Sequence, residues 1–153
     1  MPTTSTVPDV KTKLVELIKA NVDVEVFYAW PGPSTPSECV FIGRYPDLED
    51  DVVSVTSEIA TIKAGRKQRT ETYAVPVTIW SFRPDLTAEK AEEAEARAFE
   101  LMEAVEDVLA DDPTLGLDIQ WARLGDFTST GHPFEKGRVY ELVVQIDVQA
   151  RLT

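Results

Sequence analysis

One histidine, His132, and one cysteine, Cys39, are all that 153 residues offer to soft-metal or imidazole chemistry. A zinc site or a thiol–imidazole pair needs several such side chains at helical or turn spacing. Two isolated residues do not supply that. His132 lies in TGHPF, which reads as a turn, and Cys39 has no second cysteine with which to form an intramolecular disulfide, as fits a reducing compartment. Carboxylates are the one abundant functional group. Adjacent acids stand at Asp50-Asp51 and Glu92-Glu93. The first pair reads as loop and the second as exposed helix face, where nothing in the sequence would shift a pKa toward acid–base work. GxSxG, GxGxxG after a strand and GxxxxGK[ST] are all absent. These residues point away from an enzyme and imply neither a metal nor a cofactor.

The acids and bases are segregated. Formal net charge is −12. From Asp85 to Asp112 there are eleven acids and two bases, a local net of −9, whereas KAGRKQR, Lys63 to Arg69, holds four bases and no acid. Phosphates would repel such a chain as a whole, so general nucleic-acid binding is disfavoured. The acidic run reads either as a solvated helix face or as a surface kept negative for a basic partner. The basic run reads either as a solvated hairpin tip or as an arm that orders against a partner. Hydrophobic content of 43% and charged content of 27% suit one soluble domain over residues 1–153. No apolar run is long enough to span a bilayer, so no membrane partner is expected. The N-terminus lacks the basic start and apolar segment of a secretory signal.

The elements that would position these charges centre on residues 71–112. ETYAVPVTIWSF alternates Tyr73, Val75, Val77 and Ile79 with Thr72, Ala74, Pro76 and Thr78, which is a strand with one row turned to a core. Pro76 inside it suggests an edge position or a bulge. After Arg83-Pro84-Asp85, Thr87 suits an N-cap with Glu89 in the first turn. Ala91, Ala94, Ala98, Leu101, Met102, Val105, Val108 and Leu109 then make one apolar stripe, and Pro113 and Gly116 end the helix. Upstream, residues 1–8 read as a flexible lead. A helix follows to about Ala20 on Val10, Leu14, Leu17 and Ile18, then strands over Val24–Trp30 and Cys39–Tyr45 around an irregular PGPSTP.

Val52–Lys63 and Thr70–Phe82 form a strand pair joined by the basic run, an exposed loop over 63–69, with a bulge expected near Ser57. LDIQWARLGDF is a strand presenting Leu117, Ile119 and Trp121, and TSTGHPFEK is a turn. GRVYELVVQIDVQARL alternates without a fault and belongs in a sheet interior. Trp30, Trp80 and Trp121 are spread among strands and serve packing. The expected fold is α+β: a mostly antiparallel sheet of four to six strands, with a short N-terminal and a long central helix on one face.

RTETYAVPVTIW, an Ala/Glu-rich helix leaving through VEDVLADDPTLG, and a terminal VYELVVQIDVQARL together resemble the tail terminator proteins of long-tailed bacteriophages. The similarity covers most of the chain from about residue 53, with the N-terminal helix and strand in compatible places. Its most specific parts are the strand start at Arg69 and Glu71 and the helix exit Asp112-Pro113-Thr114-Leu115-Gly116. The resemblance implies a structural virion protein assembled in the host bacterial cytoplasm and located at the tail–head joint. Its partners would be copies of itself in a hexameric ring, the tail tube protein and the head connector protein. The ring would stop tube polymerisation, and DNA would pass through it without specific binding. On that reading Lys63, Arg66, Lys67 and Arg69 serve subunit or tube contacts, opposite acids such as Asp50 and Asp51. A head-closure or neck protein of the same joint and an acidic cytosolic binding module are the alternatives.

Overall fold

The computed structural model describes residues 4–44, 53–62 and 66–152, with backbone alone at 60–62 and 66–67. The order is α1 (Val7–Asn21), β1 (Glu25–Phe27), β2 (Glu38–Ile42), β3 (Val55–Ile62), β4 (Arg66–Arg83), α2 (Ala88–Asp111), β5 (Trp121–Phe134) and β6 (Gly137–Leu152). The strands form a single sheet ordered β1-β2-β4-β6-β5, with β3 also on β4. All pairings are antiparallel except β1 with β2, so the α+β fold is as expected.

β6 sits between β4 and β5, where its alternation requires it to be. Its inward row, Leu142, Val144, Ile146, Val148 and Ala150, meets Tyr73, Val75, Val77 and Ile79 of β4 in one core. Val10, Leu14 and Ile18 of α1 and Ala98, Leu101, Val105 and Leu109 of α2 cover that same face. Burying each Leu, Ile or Val of this set contributes roughly 1.5–3 kcal/mol, so the helix stripes and the strand rows hold each other in place. Thr87 caps α2 as its type suggests, its Oγ1 accepting from Lys90 N at 3.3 Å. The other face carries a smaller cluster of Cys39, Phe41, Trp80 and Val139, closed over by Trp30, Phe82 and Phe134.

Four local expectations are corrected. Pro76 lies neither in an edge strand nor at a bulge, since β4 and β6 pair without a break from Arg69↔Leu152 to Arg83↔Arg138. Its missing donor is tolerated because β3 reaches only Tyr73 and β2 begins at Val77. Pro76 O accepts from Gly43 N at 2.7 Å, so the proline nitrogen also faces that junction, away from the β6 ladder. The bulge expected near Ser57 is absent, because β3 pairs in continuous register from Val55 to Ile62. A bulge occurs instead in β5 between Leu124 and Phe127.

The turn expected over residues 128–136 is strand as far as Phe134, because β6 offers a full ladder beside it. Only Glu135 and Lys136 turn the chain, with Glu135 at φ 55. Leu117 and Ile119 precede β5 and do not belong to it. PGPSTP includes one short 3-10 turn at Gly32–Ser34, whose positive φ of 86 at Gly32 suits glycine.

Candidate assembly surfaces

Of the basic run, Arg66 to Arg69 belong to a strand and not to a loop. Arg66 and Lys67 open β4 in register with Ile62 and Thr61 of β3. Arg69 pairs with Ile59 on one side and Leu152 on the other, and its guanidinium donates to the Thr4 carbonyl, so it binds the chain's own N-terminal segment. Lys63, Asp50 and Asp51 lie outside the described residues. The backbone therefore places Arg66 and Lys67 at the opening of β4, and the Arg69 guanidinium turns back to the N-terminal segment.

The acidic run is the outer surface of α2. Glu92, Glu95, Glu100, Glu103, Glu106, Asp107 and Asp111 are exposed along it. Arg97 leaves that surface to make one network, donating to Asp23 at 2.6 Å, Glu38 at 3.0 Å and Glu100 at 2.9 Å. Arg83 reaches the same Glu38 at 3.4 Å. The Arg97 guanidinium holds the Asp23 carboxyl below the usual carboxylate range, chiefly by its hydrogen bond. α2 is thereby tied to β2 and to the α1–β1 connection, which gives its acidic face a fixed orientation relative to the sheet.

A polar cluster missed in the sequence lies where β4 begins. Glu71 is 1% exposed. Its Oε1 accepts from Thr6 N at 2.7 Å, Thr6 Oγ1 at 2.6 Å and Ser5 Oγ at 3.4 Å. Thr6 Oγ1 has one proton and gives it to Glu71, so the Tyr73 hydroxyl, 2.8 Å away, donates to Thr6. Burial pushes the Tyr73 phenol well above its ordinary range, which keeps it a donor. The lead expected to be loose through residue 8 is thus held at Ser5 and Thr6, and α1 starts at Val7. The available signal was the parity of Glu71 with Tyr73, Val75 and Val77, the inward row of the strand.

Among the described residues no three metal-ligating side chains come together. Burial pushes the Cys39 thiol up to about 12, leaving a packing residue. His132 is in β5 and not in a turn, edge-on to Trp80, with Nε2 3.7 Å from Glu141 Oε2. A cavity of about 370 Å³ beside Thr6 is walled by Leu117, Ile119 and Leu152, with Asp9 and Asp118 at its rim. No helix among the described residues is long and apolar enough to cross a membrane.

Glu141 is 6% exposed, and its burial among neutral groups raises its pKa, with only His132 opposing. A carboxyl whose folded pKa is raised contributes stability below its unfolded pKa and loses it as pH climbs through the folded value. The expected result is that wild-type stability falls, relative to Glu141→Gln, as pH rises from 4 to 7. Urea midpoints of both proteins across that range measure it, and parallel curves would remove the assignment.

No family model matches the chain, and no curated protein matches its sequence. Among solved structures it is similar to a chain described as "Virion of native gene transfer agent (GTA) particle". The identity is 15% and the TM-score 0.49, over 96% of this chain and 99% of that one. A likeness at this level does not define a role.

Proposed function

We propose that this protein is a structural virion component of the tail terminator type. It caps the phage tail tube as a ring, stops tube growth and forms the joint to the head connector, and its activity is assembly without turnover. The observation that carries the reading is the segregation of charge within one subunit. Arg66 and Lys67 open β4 beside the end of β3, while the outer surface of α2 is acidic almost throughout. Two unlike patches on one molecule favour head-to-tail contacts, and such contacts close into rings when the rotation allows. The resemblance of the Arg69–Glu71 strand start and the Asp112–Gly116 helix exit supports the same reading. A negative lumen would repel the phosphates of passing DNA and keep it unbound.

The test is the solution mass of the purified chain at several concentrations and salt levels, followed by addition of isolated tail tubes. A closed ring near six subunits that loosens with salt, and that caps tubes, is expected. Reversing Lys63, Arg66, Lys67 and Arg69 together to glutamate is expected to abolish both. Normal rings and normal capping in that variant would overturn the role of the hairpin charges. Binding to filled heads in place of tubes would favour a head-closure or neck protein. A monomer whose melting temperature rises only with a basic protein would favour a binding module.

A further inference from the structure

The sheet ends in two long strands whose outer edges pair with nothing among the described residues: β3, beside β4, and β5, beside β6. Free edges usually carry devices that block pairing, such as lysines, prolines or very short length. β3 has eight residues and one charge, Glu58. β5 has fourteen; its blocking features are the bulge between Leu124 and Phe127 and Pro133 near its far end, and Phe127 to His132 between them pair with β6 without a break. Large apolar side chains stand exposed at both edges. Val55 and Ile59 are 41% and 68% exposed on β3, and Phe127 is 46% exposed on β5.

All three lie on the same face of the sheet. Val55 is in register with Tyr73, whose side chain is in the main core, and Ile59 follows it by an even number of residues. Phe127 is in register with Val144 of the same core and meets Phe99 of α2 edge-on at 5.9 Å. A strand added to β5 would therefore place its own core-side apolar residues next to Phe127.

Resting on the ring reading, we infer that β3 of one copy adds to the free edge of β5 of the next, continuing the sheet from subunit to subunit. Charge fixes the direction. The α2 surface flanking the start of β5 is acidic, with Glu106 lining a groove with Trp121, Arg123 and Leu124, and Glu103 exposed one turn earlier. The hairpin end of β3 leads into Arg66 and Lys67. Bases meet acids when the incoming β3 runs toward Trp121, opposite to β5, so the added strand is antiparallel. In the register that covers both exposed side chains, Ile59 lies beside Phe127. The contact is heterologous, because β3 and β5 are different surfaces, as a ring requires.

Cysteine pairing tests this directly. One preparation carries Ile59→Cys and a second, differently tagged preparation carries Phe127→Cys, each leaving the buried Cys39 in place. Both sites are exposed, so both proteins are expected to fold, and their melting curves check this. After mixing and mild oxidation, a disulfide-linked two-chain species is expected in the mixture and absent from either preparation alone. Cross-strand neighbours bring the Cβ atoms within disulfide range. No such species in the mixture, or an equal yield from Ile59→Cys alone, overturns the pairing. As a second measurement, Ile59→Glu is expected to dissociate assemblies and Phe127→Arg to restore them when combined with it in one chain. Closed rings without the cross-link would keep the ring and sink the edge contact. Cross-linked open chains without closed rings would do the reverse.

Discussion

Gly137→Ala is expected to destabilise the protein by roughly 3 kcal/mol, at the upper end of what overpacking costs. Gly137 opens β6 directly after the two-residue turn, and its Cα pairs with Phe134. A Cβ at this position would stand 2.1 Å from the Arg83 carbonyl oxygen and 2.5 Å from two ring carbons of Phe82. Phe82 can give way only by disturbing Phe134, its edge-on neighbour at 6.3 Å, which in turn packs on Trp80 at 5.2 Å. The carbonyl cannot turn aside cheaply, because Arg83 is paired with Arg138 at the last rung of the β4–β6 ladder. Either the hairpin shifts away from β4 or the aromatic cluster opens. A fall in melting temperature of about 6–12 °C is the corresponding expectation for a chain of this length. Calorimetry of the single variant measures it. A change under about 2 °C would mean that the hairpin relaxes freely and that the second cluster adds little to stability.

The residues that made the fold legible are those whose partners lie along a uniform row. β6 alternates through its whole length because it is covered by helices on one face and paired on both edges, so its pattern alone marks it as an interior strand. α2 was equally plain, from Thr87 to its exit at Pro113, since its stripe and its cap are both local signals. β5 was not. Its second half, TSTGHPF, has the composition of a turn. It is strand only because β6 supplies hydrogen-bonding partners, and Pro133 survives there because an outermost strand can spare a donor. The parallel pairing of β1 with β2 leaves no local trace either, because a three-residue strand carries no signal of its direction relative to its neighbour. As for the proposed contact residues, a run of bases indicates charge and not direction. Nothing local says that Arg69 turns back to Thr4 while Arg66 and Lys67 lie farther along the hairpin.

Glu71→Ala is expected to cost roughly 3 kcal/mol as well, by a different route: it removes a charged acceptor and leaves the buried Thr6 N–H unpaired. Thr6 N–H loses its partner and Thr6 Oγ1 keeps only the Tyr73 hydroxyl, while Thr6 is itself buried. The damage should be local to the start of α1. Thr6 is the residue before the helix, and its side chain serves Glu71 and not the helix, which has no side-chain cap there. Ser5 Oγ, which accepts from Val7 N at 3.2 Å, is held in place by its own bond to Glu71. Without the carboxylate both residues lose their anchor, and the first turn should fray back toward Val10, whose amide bonds the Thr6 carbonyl at 2.9 Å. Faster hydrogen exchange at Thr6 and Val10, with the β6 amides unchanged, is the expected signature. Glu71→Gln keeps one acceptor oxygen and should cost only about 1 kcal/mol. If Glu71→Ala weakens the whole sheet and the first turn of α1 equally, the carboxylate braces β4 itself, and the N-terminal segment merely lies over it. If it frays the segment alone, the strand start at Arg69 and Glu71 is a clasp that closes the N-terminal helix onto the sheet, with Arg69 holding Thr4 and Glu71 holding Thr6.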